Sequence, residues 1–454
     1  MNMKFNFRLF QDNGKIYTCG TLTYTRLGLI HLFAWLLWGD FCMSLMQSVN
    51  PVLTPLLLKM HNASNLTIGL LMGSIPALLN FILNPIISTS SDRLRTRWGR
   101  RIPFLLFTPP FSALFLILLG WSDQIGKFFY HLLNGPNGNP AMFIIGLIAV
   151  FVIGFQIFDL FVQCVYYYIF SDVVPVEWLG RFMSLFRIFG TLAGVSFNLL
   201  VMPHVKTHIS LIYTVIAVIY ALGFCGMALH VKEGEYPPPA PQPPGFVSKV
   251  QVYFKECFSK PFYLIMFFGM AFNSVSVVCR SMFNVLFTLN DLHLTTAQLG
   301  KVGAITGIIA FVLAFPVGWL VDRFHPLRVY LAGALLVIIA NPIGFFFVHD
   351  FYSYMFFAWF LAIDYIIQNS ATLPLVIRLQ PKEKFGQFSS AKQMLQSILL
   401  IIANAAGGWF IDLMGYRYLF VWDFVFTIVC FSIMFILYLK WKKLGGDQGF
   451  KPPV

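Results

Sequence analysis

Ser91-Asp92-Arg93-Leu94-Arg95-Thr96-Arg97-Trp98-Gly99-Arg100-Arg101-Ile102-Pro103-Phe104 sets five arginines and one aspartate between two long apolar runs. A shorter version lies 230 positions on, where Gly318-Trp319-Leu320-Val321-Asp322-Arg323 leads to Arg328, and Asp92-Arg93 falls on Asp322-Arg323 at that offset. A charged hinge written twice implies a body written twice. Gly73 and Gly303 align at the same offset, Pro85 and Pro316 align within one position, and Asp159 and Gln163 match Asp364 and Gln368 at an offset of 205.

Working outward from the hinge, 58% of the residues are apolar and only 11% charged, where an ordinary soluble domain has about 25% charged. Apolar runs of about 20 residues, enough for a helix to cross ~30 Å of hydrocarbon, begin near Leu27, Thr67, Ile102, Ala141, Phe182, Ile209, Phe262, Gln298, Arg328, Tyr352, Gly386 and Tyr416. They predict twelve transmembrane helices and an all-α membrane protein. The arm before the first run carries Lys4, Arg8, Asp12, Lys15 and Arg26 with no small-residue cleavage site, so that run reads as a retained span. The seven cysteines show no close metal-ligand pairs and read as packing residues.

A net charge of +13 would suit nucleic acid, but the placement of the charge excludes that reading. With the amino terminus inside and sides alternating, 23 of the 31 Lys and Arg fall on one side and five on the other. Basic residues gather in cytoplasmic loops in this way, so both termini are expected in the cytoplasm.

The segment Lys232-Glu233-Gly234-Glu235-Tyr236-Pro237-Pro238-Pro239 continues into more prolines and cannot be helical. The expected organisation is a cytoplasmic arm at 1–26, a six-helix half at 27–230, a proline-rich linker at 231–261, a second six-helix half at 262–440 and a tail at 441–454. Two halves of this kind form a parallel repeat about an axis along the membrane normal, with the substrate site at their interface.

Twelve spans, a central linker and a D-R-x-x-x-R-x-G-R-R loop resemble the major facilitator superfamily. Within it, the full spelling from Ser91 to Phe104 is similar to the glycoside-pentoside-hexuronide/cation symporters and the sucrose/proton symporters. The resemblance implies a secondary transporter of a sugar or glycoside. It also implies an aspartate on span four and an arginine on span five near sugar or cation, which fall here on Asp159 and Arg187. In melibiose-type symporters a D-x-x-x-D-P pattern on span two contributes to the cation site, whereas this chain reads Asn80-Phe81-Ile82-Leu83-Asn84-Pro85. Both acids are amides, which disfavours sodium and favours a coupling proton, carried on Asp40 or Asp159, or uncoupled transport.

An ionisable group inside a span is costly and normally faces a wet cavity or a partner. Asp40, Asp159 and Asp364 are such acids, and Arg187, Arg280 and Lys392 such bases. Asp159 and Gln163 stand four apart and share a helix face, as do Asp364 and Gln368, with Asn369 beside them. These two faces are expected to meet across a central cavity that binds solute hydroxyls, helped by Asn273 and by Trp35 and Trp38 beside Asp40. At the hinge, Asp92 with Arg93, Arg100 and Arg101, and Asp322 with Arg323 and Arg328, are expected to lock one access state in each half. Asn62-Ala63-Ser64 and Asn65-Leu66-Thr67 match glycosylation acceptors.

The expected protein is therefore a multi-pass monomer of the plasma or inner membrane whose partners are a small solute, a proton and the lipid bilayer. Metal, cofactor, nucleic acid and catalytic residues are not expected, since no phosphate-binding glycine loop, HExxH or GxSxG pattern is present. An exporter or facilitator of another metabolite or drug, and a non-transporting sensor, are the competing readings.

Overall fold

Helix starts follow local chemistry. The Thr25 side chain accepts from Gly28 N at the head of the first span, and a capping box of Thr295 and Gln298 opens the eighth. Asp350 and Ser353 do the same for the tenth, and prolines sit in the first turn at Pro103, Pro261 and Pro326. The protein is described by a computed structural model that covers residues 16–134, 139–236, 255–381 and 385–453; the side chains of Arg181 and Asp322 lie outside the described residues.

Among the described residues the chain forms twelve helices long and apolar enough to span a membrane. Those of the first half are Arg26–Met60, Asn65–Arg93, Ile102–Gly120, Ala141–Val173, Val176–Ser196 with its continuation Phe197–Val201, and Ile209–His230. Those of the second are Pro261–Asn290, Thr296–Phe324, Pro326–Phe347, Phe351–Leu379, Phe385–Met414 and Leu419–Lys443. Span one packs on five and six, span three on four and six, and span two on four. Each of these pairings recurs six spans later, as seven on eleven and twelve, nine on ten and twelve, and eight on ten. The halves meet where span two crosses eleven and span five crosses eight.

Three irregular features interrupt the regular helices. Span seven breaks at Val277 into Pro261–Ser276 and Val278–Asn290. One turn of π-helix occurs at Leu70–Ser74 in span two, and another at Phe197–Val201 ends span five. Such bulges often mark functional positions.

The sequence reads residues 123–140 as an outer loop, but Ser122–Asn134 is an amphipathic helix with Phe128, Phe129, Leu132 and Leu133 exposed. It is too polar on its other face to span and fits the membrane interface. In the amino-terminal arm, Tyr17–Cys19 and Leu22–Tyr24 pair as a hairpin, with Tyr17 edge-on to Trp178 and Thr21 Oγ1 accepting from Glu235 N at 2.9 Å.

Candidate functional site

Between the halves lies a cavity of about 1090 Å³. The break in span seven turns Ser274, Val277, Val278, Arg280 and Ser281 into its wall, and the carbonyl of Val275 at the break accepts from Trp422 Nε1 at 2.9 Å. Broken helices at the midplane are how transporters present polar groups without leaving backbone unsatisfied. Asn80, Asn273, Asn284, Asp364, Gln368 and Asn369 supply most of the remaining polar wall. Amides that both donate and accept, set among apolar residues, suit a solute rich in hydroxyls.

Arg280 is the cation of this wall. It forms an ion pair with Asp423 on span twelve, donates to Asn341 Oδ1 at 2.6 Å, and lies 6.0 Å from the Phe357 ring centre. Asp423 is 0% exposed and also accepts from Thr427 at 3.0 Å, so the guanidinium is aimed from behind. Asp364 is 7% exposed and its oxygens face the Gln368 amide at 3.3 and 3.4 Å. Asp423 is absent from the sequence candidates although Trp422-Asp423-Phe424 carries the same signal as Trp38-Gly39-Asp40-Phe41, one acid deep in an apolar run. Asn341 is neutral and gives no such signal.

The matching face of span four is turned elsewhere. Asp159 accepts from Tyr220 at 2.7 Å and from Gln163 at 2.6 Å, 6% exposed in the core of the first half. Thus Asp364, Gln368, Asn369 and Asn273 line the cavity, while Asp159 and Gln163 do not. Arg187 is exposed on the same stripe of span five as Val195, which reaches Gly307 of span eight, and among the described residues it forms no ion pair with Asp159, one oxygen of which is taken by Tyr220. Asp40 is 1% exposed; Ser44 stands 3.5 Å from one of its oxygens, and the other has no hydrogen-bond partner among the described residues. Trp35 stacks on His230 at 4.1 Å, and Trp38 on Phe41 at 5.6 Å, so neither ring enters the cavity wall. Asn84 donates to Asn80 at 3.1 Å, which puts amide against amide where the resemblance would have placed two acids.

At the arginine hinge the strong partner is Asp172 at the end of span four. It takes Arg100 at 2.8 Å and Arg101 at 2.9 Å, whereas Asp92, whose side chain is 53% exposed, stands 3.7 and 3.5 Å from the same arginines. The ion pairs expected at Asp92 are therefore centred on Asp172, because Asp92 is left in solvent at the helix end. Arg93 is exposed. Gly99 adopts φ +112°, and a Cβ there would meet Glu233 at 2.7 Å. Glu233 accepts from the backbone N–H of Arg100, Arg101 and Ile102 at 3.1, 2.7 and 2.7 Å, capping span three.

Among the described residues, the basic side chains of the second half take other partners. Arg328 pairs with Asp447 of the tail at 2.6 Å, and Arg323 lies over the Trp319 ring at 5.0 Å. The role expected of Asp322 concerns a side chain outside the described residues. The hinge ion pairs described here each lie within one half.

Contacts that join the halves gather at the opposite end, near Asn62. There, a Cβ on Gly300 or Gly303 would fall 2.1 or 2.4 Å from Asn198, and a Cβ on Gly69 or Gly73 would fall 2.3 Å from Asn404. Asn198 and Asn404 are themselves 206 positions apart, so the repeat has built the same amide-on-glycine contact twice. Asp412 adds backbone bonds from Asn65 N and Leu66 N, each 2.8 Å. Asn65 is 5% exposed and accepts from the Tyr416 hydroxyl, whereas Asn62 is exposed.

Residues 273–452 match the model of the Major Facilitator Superfamily. A stretch of 112 residues is 31% identical to the human Membrane-associated transporter protein, covering 23% of this chain and 18% of that protein. The mouse protein of the same name matches over 82 residues at 29% identity, covering 18% and 14% respectively, so the matched stretches span under a fifth of these relatives. In three dimensions the chain resembles an inward-facing, unoccupied bacterial homolog of the human lysosomal transporter Spinster, with TM-score 0.68, 14% identity, and coverage of 91% of this chain and 97% of that one. It also resembles an inward-facing bacterial homologue of the iron transporter ferroportin (TM-score 0.68, 12% identity, 90% and 99% covered). The nucleoside transporter NupG matches with TM-score 0.66 and 11% identity, covering 90% and 100%. The fold is that of the major facilitator superfamily: twelve transmembrane helices in two six-helix halves.

Proposed function

We propose that this protein is a secondary active transporter that moves a small polar solute, a sugar or glycoside, together with a proton, by alternating access of the cavity between its two halves. The observation that carries this reading is the cavity wall itself. Its amides and its one arginine, already neutralised by Asp423, offer hydrogen bonds to a neutral polyol and no free cation for an anionic cargo. Its volume of about 1090 Å³ leaves room for a disaccharide.

In this reading the hinge end is cytoplasmic, as the basic bias favours. The halves are joined at the Asn62 end, so the state described is open to the cytoplasm, like the inward-facing relatives. The units 27–230 and 262–440 rock against each other, with Asp172, Arg100 and Arg101 bracing the first half while it moves. The pairing of Asn80 with Asn84 supports a proton over sodium, because that position offers no anionic oxygen. Residence in the plasma membrane as a monomer completes the proposal.

Uptake by proteoliposomes holding the full chain tests it. Radiolabelled monosaccharides and sucrose should accumulate under an inward pH gradient and not under a sodium gradient. Absence of sugar uptake, together with uptake of a nucleoside or a metal ion, would replace the proposed cargo.

A further inference from the structure

Among the described residues, two carboxylates and a single guanidinium cluster at one side of the cavity, Asp364 and Arg280 in its wall and Asp423 behind it. Asp423 is fully buried and committed to Arg280 and Thr427, and it does not line the cavity. Asp364 does line it, within electrostatic reach of both Arg280 and Asp423. Its carboxylate fills the space left by Gly333 on span nine, where a Cβ would stand 3.2 Å from Oδ1. The only hydrogen-bond donor described for it is the neutral Gln368 amide.

Charge counting then decides what this cluster needs. One cation cannot offset two carboxylates, and an unbalanced charge in a low-dielectric wall costs several kcal/mol. The other groups facing the cluster are Tyr330 and Asn341 on span nine, Tyr354 on span ten, Cys279 on span seven, and Cys430 on span twelve. None supplies a second positive charge. Tyr354 is already taken by Asn284 at 2.8 Å, and Tyr330 lies 3.9 Å from the Cys430 sulfur. The charge must therefore come from the cavity.

We infer that Asp364 is the group that takes up and releases the coupling proton, with Asp423 as the fixed counter-charge that holds Arg280. The inference rests on the transport reading and moves the proton from the first half, where Asp40 and Asp159 are closed off from the cavity, to the second. With its proton, Asp364 is neutral, the cluster balances, and the carboxyl O–H can donate to a solute hydroxyl. When the proton leaves to cavity water, the carboxylate attracts Arg280, whose Nε has no hydrogen-bond partner among the described residues. The guanidinium then competes with the solute for the same wall, so loss of the proton favours loss of the cargo.

Infrared difference spectroscopy on the purified full chain tests this without any knowledge of the cargo. A protonated-carboxyl C=O stretch should appear and disappear as pH is varied in the wild type. It should be lost in Asp364→Asn and kept in Asp40→Asn and Asp159→Asn. A band unchanged in Asp364→Asn, or lost instead in Asp40→Asn or Asp159→Asn, overturns the inference. Asp423→Glu, which keeps the counter-charge if Asp423→Asn fails to fold, should shift the titration without abolishing it; an unmoved titration would remove Asp423 from the cluster. Sucrose uptake measured in parallel separates the two layers. A band that is lost in Asp364→Asn, in a wild-type protein that moves no sugar, sinks the cargo and leaves the proton site standing.

Discussion

Asp423 carries the clearest single-residue consequence. Removing one partner of a buried ion pair leaves the other charged and unpaired, at a cost of about 3–5 kcal/mol. Asp423→Asn should therefore lower the thermal midpoint more than Asp92→Asn, whose carboxylate is largely in solvent, where an ion pair is worth under ~1 kcal/mol. A thermal-shift comparison of the two variants decides it, and equal midpoints would refute the ranking. His325 adds a pH dependence. It is half buried with φ +70° between spans eight and nine, 4.4 Å from Trp441, and burial with the nearby Arg378 pushes its imidazole down from 6.5 to about 4. The unfolded chain then binds the proton more readily, so stability should fall as pH drops from about 6.5 towards 4 and level off below. His325→Gln should flatten that slope in acid titrations of the melting temperature. At this scale the sequence was readable wherever a charge interrupts an apolar run, as at Asp364 and Arg280. It was silent on orientation: Asp159 and Asp364 sit in matching words, yet one is held by Tyr220 and the other faces the cavity, because Tyr220 belongs to a span six with no tyrosine at the corresponding depth in span twelve.

Among the elements, the start of span three shows how a motif acquires its spelling. Positive charge alone would anchor the loop, but Gly99 is needed for a left-handed turn and for the room that Glu233 occupies. Glu233→Ala uncovers three backbone donors and should cost about 1–2 kcal/mol, the scale of a lost helix cap. Gly99→Ala should match or exceed that loss, since it combines an unfavourable φ with an overlap. Midpoints of denaturation for the two variants check both statements, and a neutral Gly99→Ala would refute the steric argument. Span boundaries were legible because hydrophobic length dictates them. The break at Val277 and the two π turns were not, since neither proline nor glycine marks Val277 and the geometry is set by the neighbours, such as Trp422 bonding the Val275 carbonyl. The helix Ser122–Asn134 was read as loop because only its amphipathic period, and no long apolar run, announces it.

For the molecule as a whole, the paired contacts of Asn198 on Gly300 and Gly303, and of Asn404 on Gly69 and Gly73, hold the halves together at one end. Close helix approach of this kind needs small residues. Gly73→Val and Gly303→Val should each push the access equilibrium toward the state open at the Asn62 end. The expected sign is faster labelling, from that side, of a cysteine placed at Ala77 in the cavity wall; labelling unchanged in both variants would show that these contacts do not set the equilibrium. The repeat predicted the glycines as an aligned pair; what they touch lies some 100 or 330 residues away and could only be seen in three dimensions. Distance along the chain also has a consequence for birth order. The cap on span three comes from Glu233, which lies 131 to 133 residues downstream of the donors it satisfies. During synthesis span three therefore waits without this cap until span six and Glu233, the third residue after His230, have left the ribosome. A fragment ending at residue 230 should be cleared by proteases that spare one ending at residue 236.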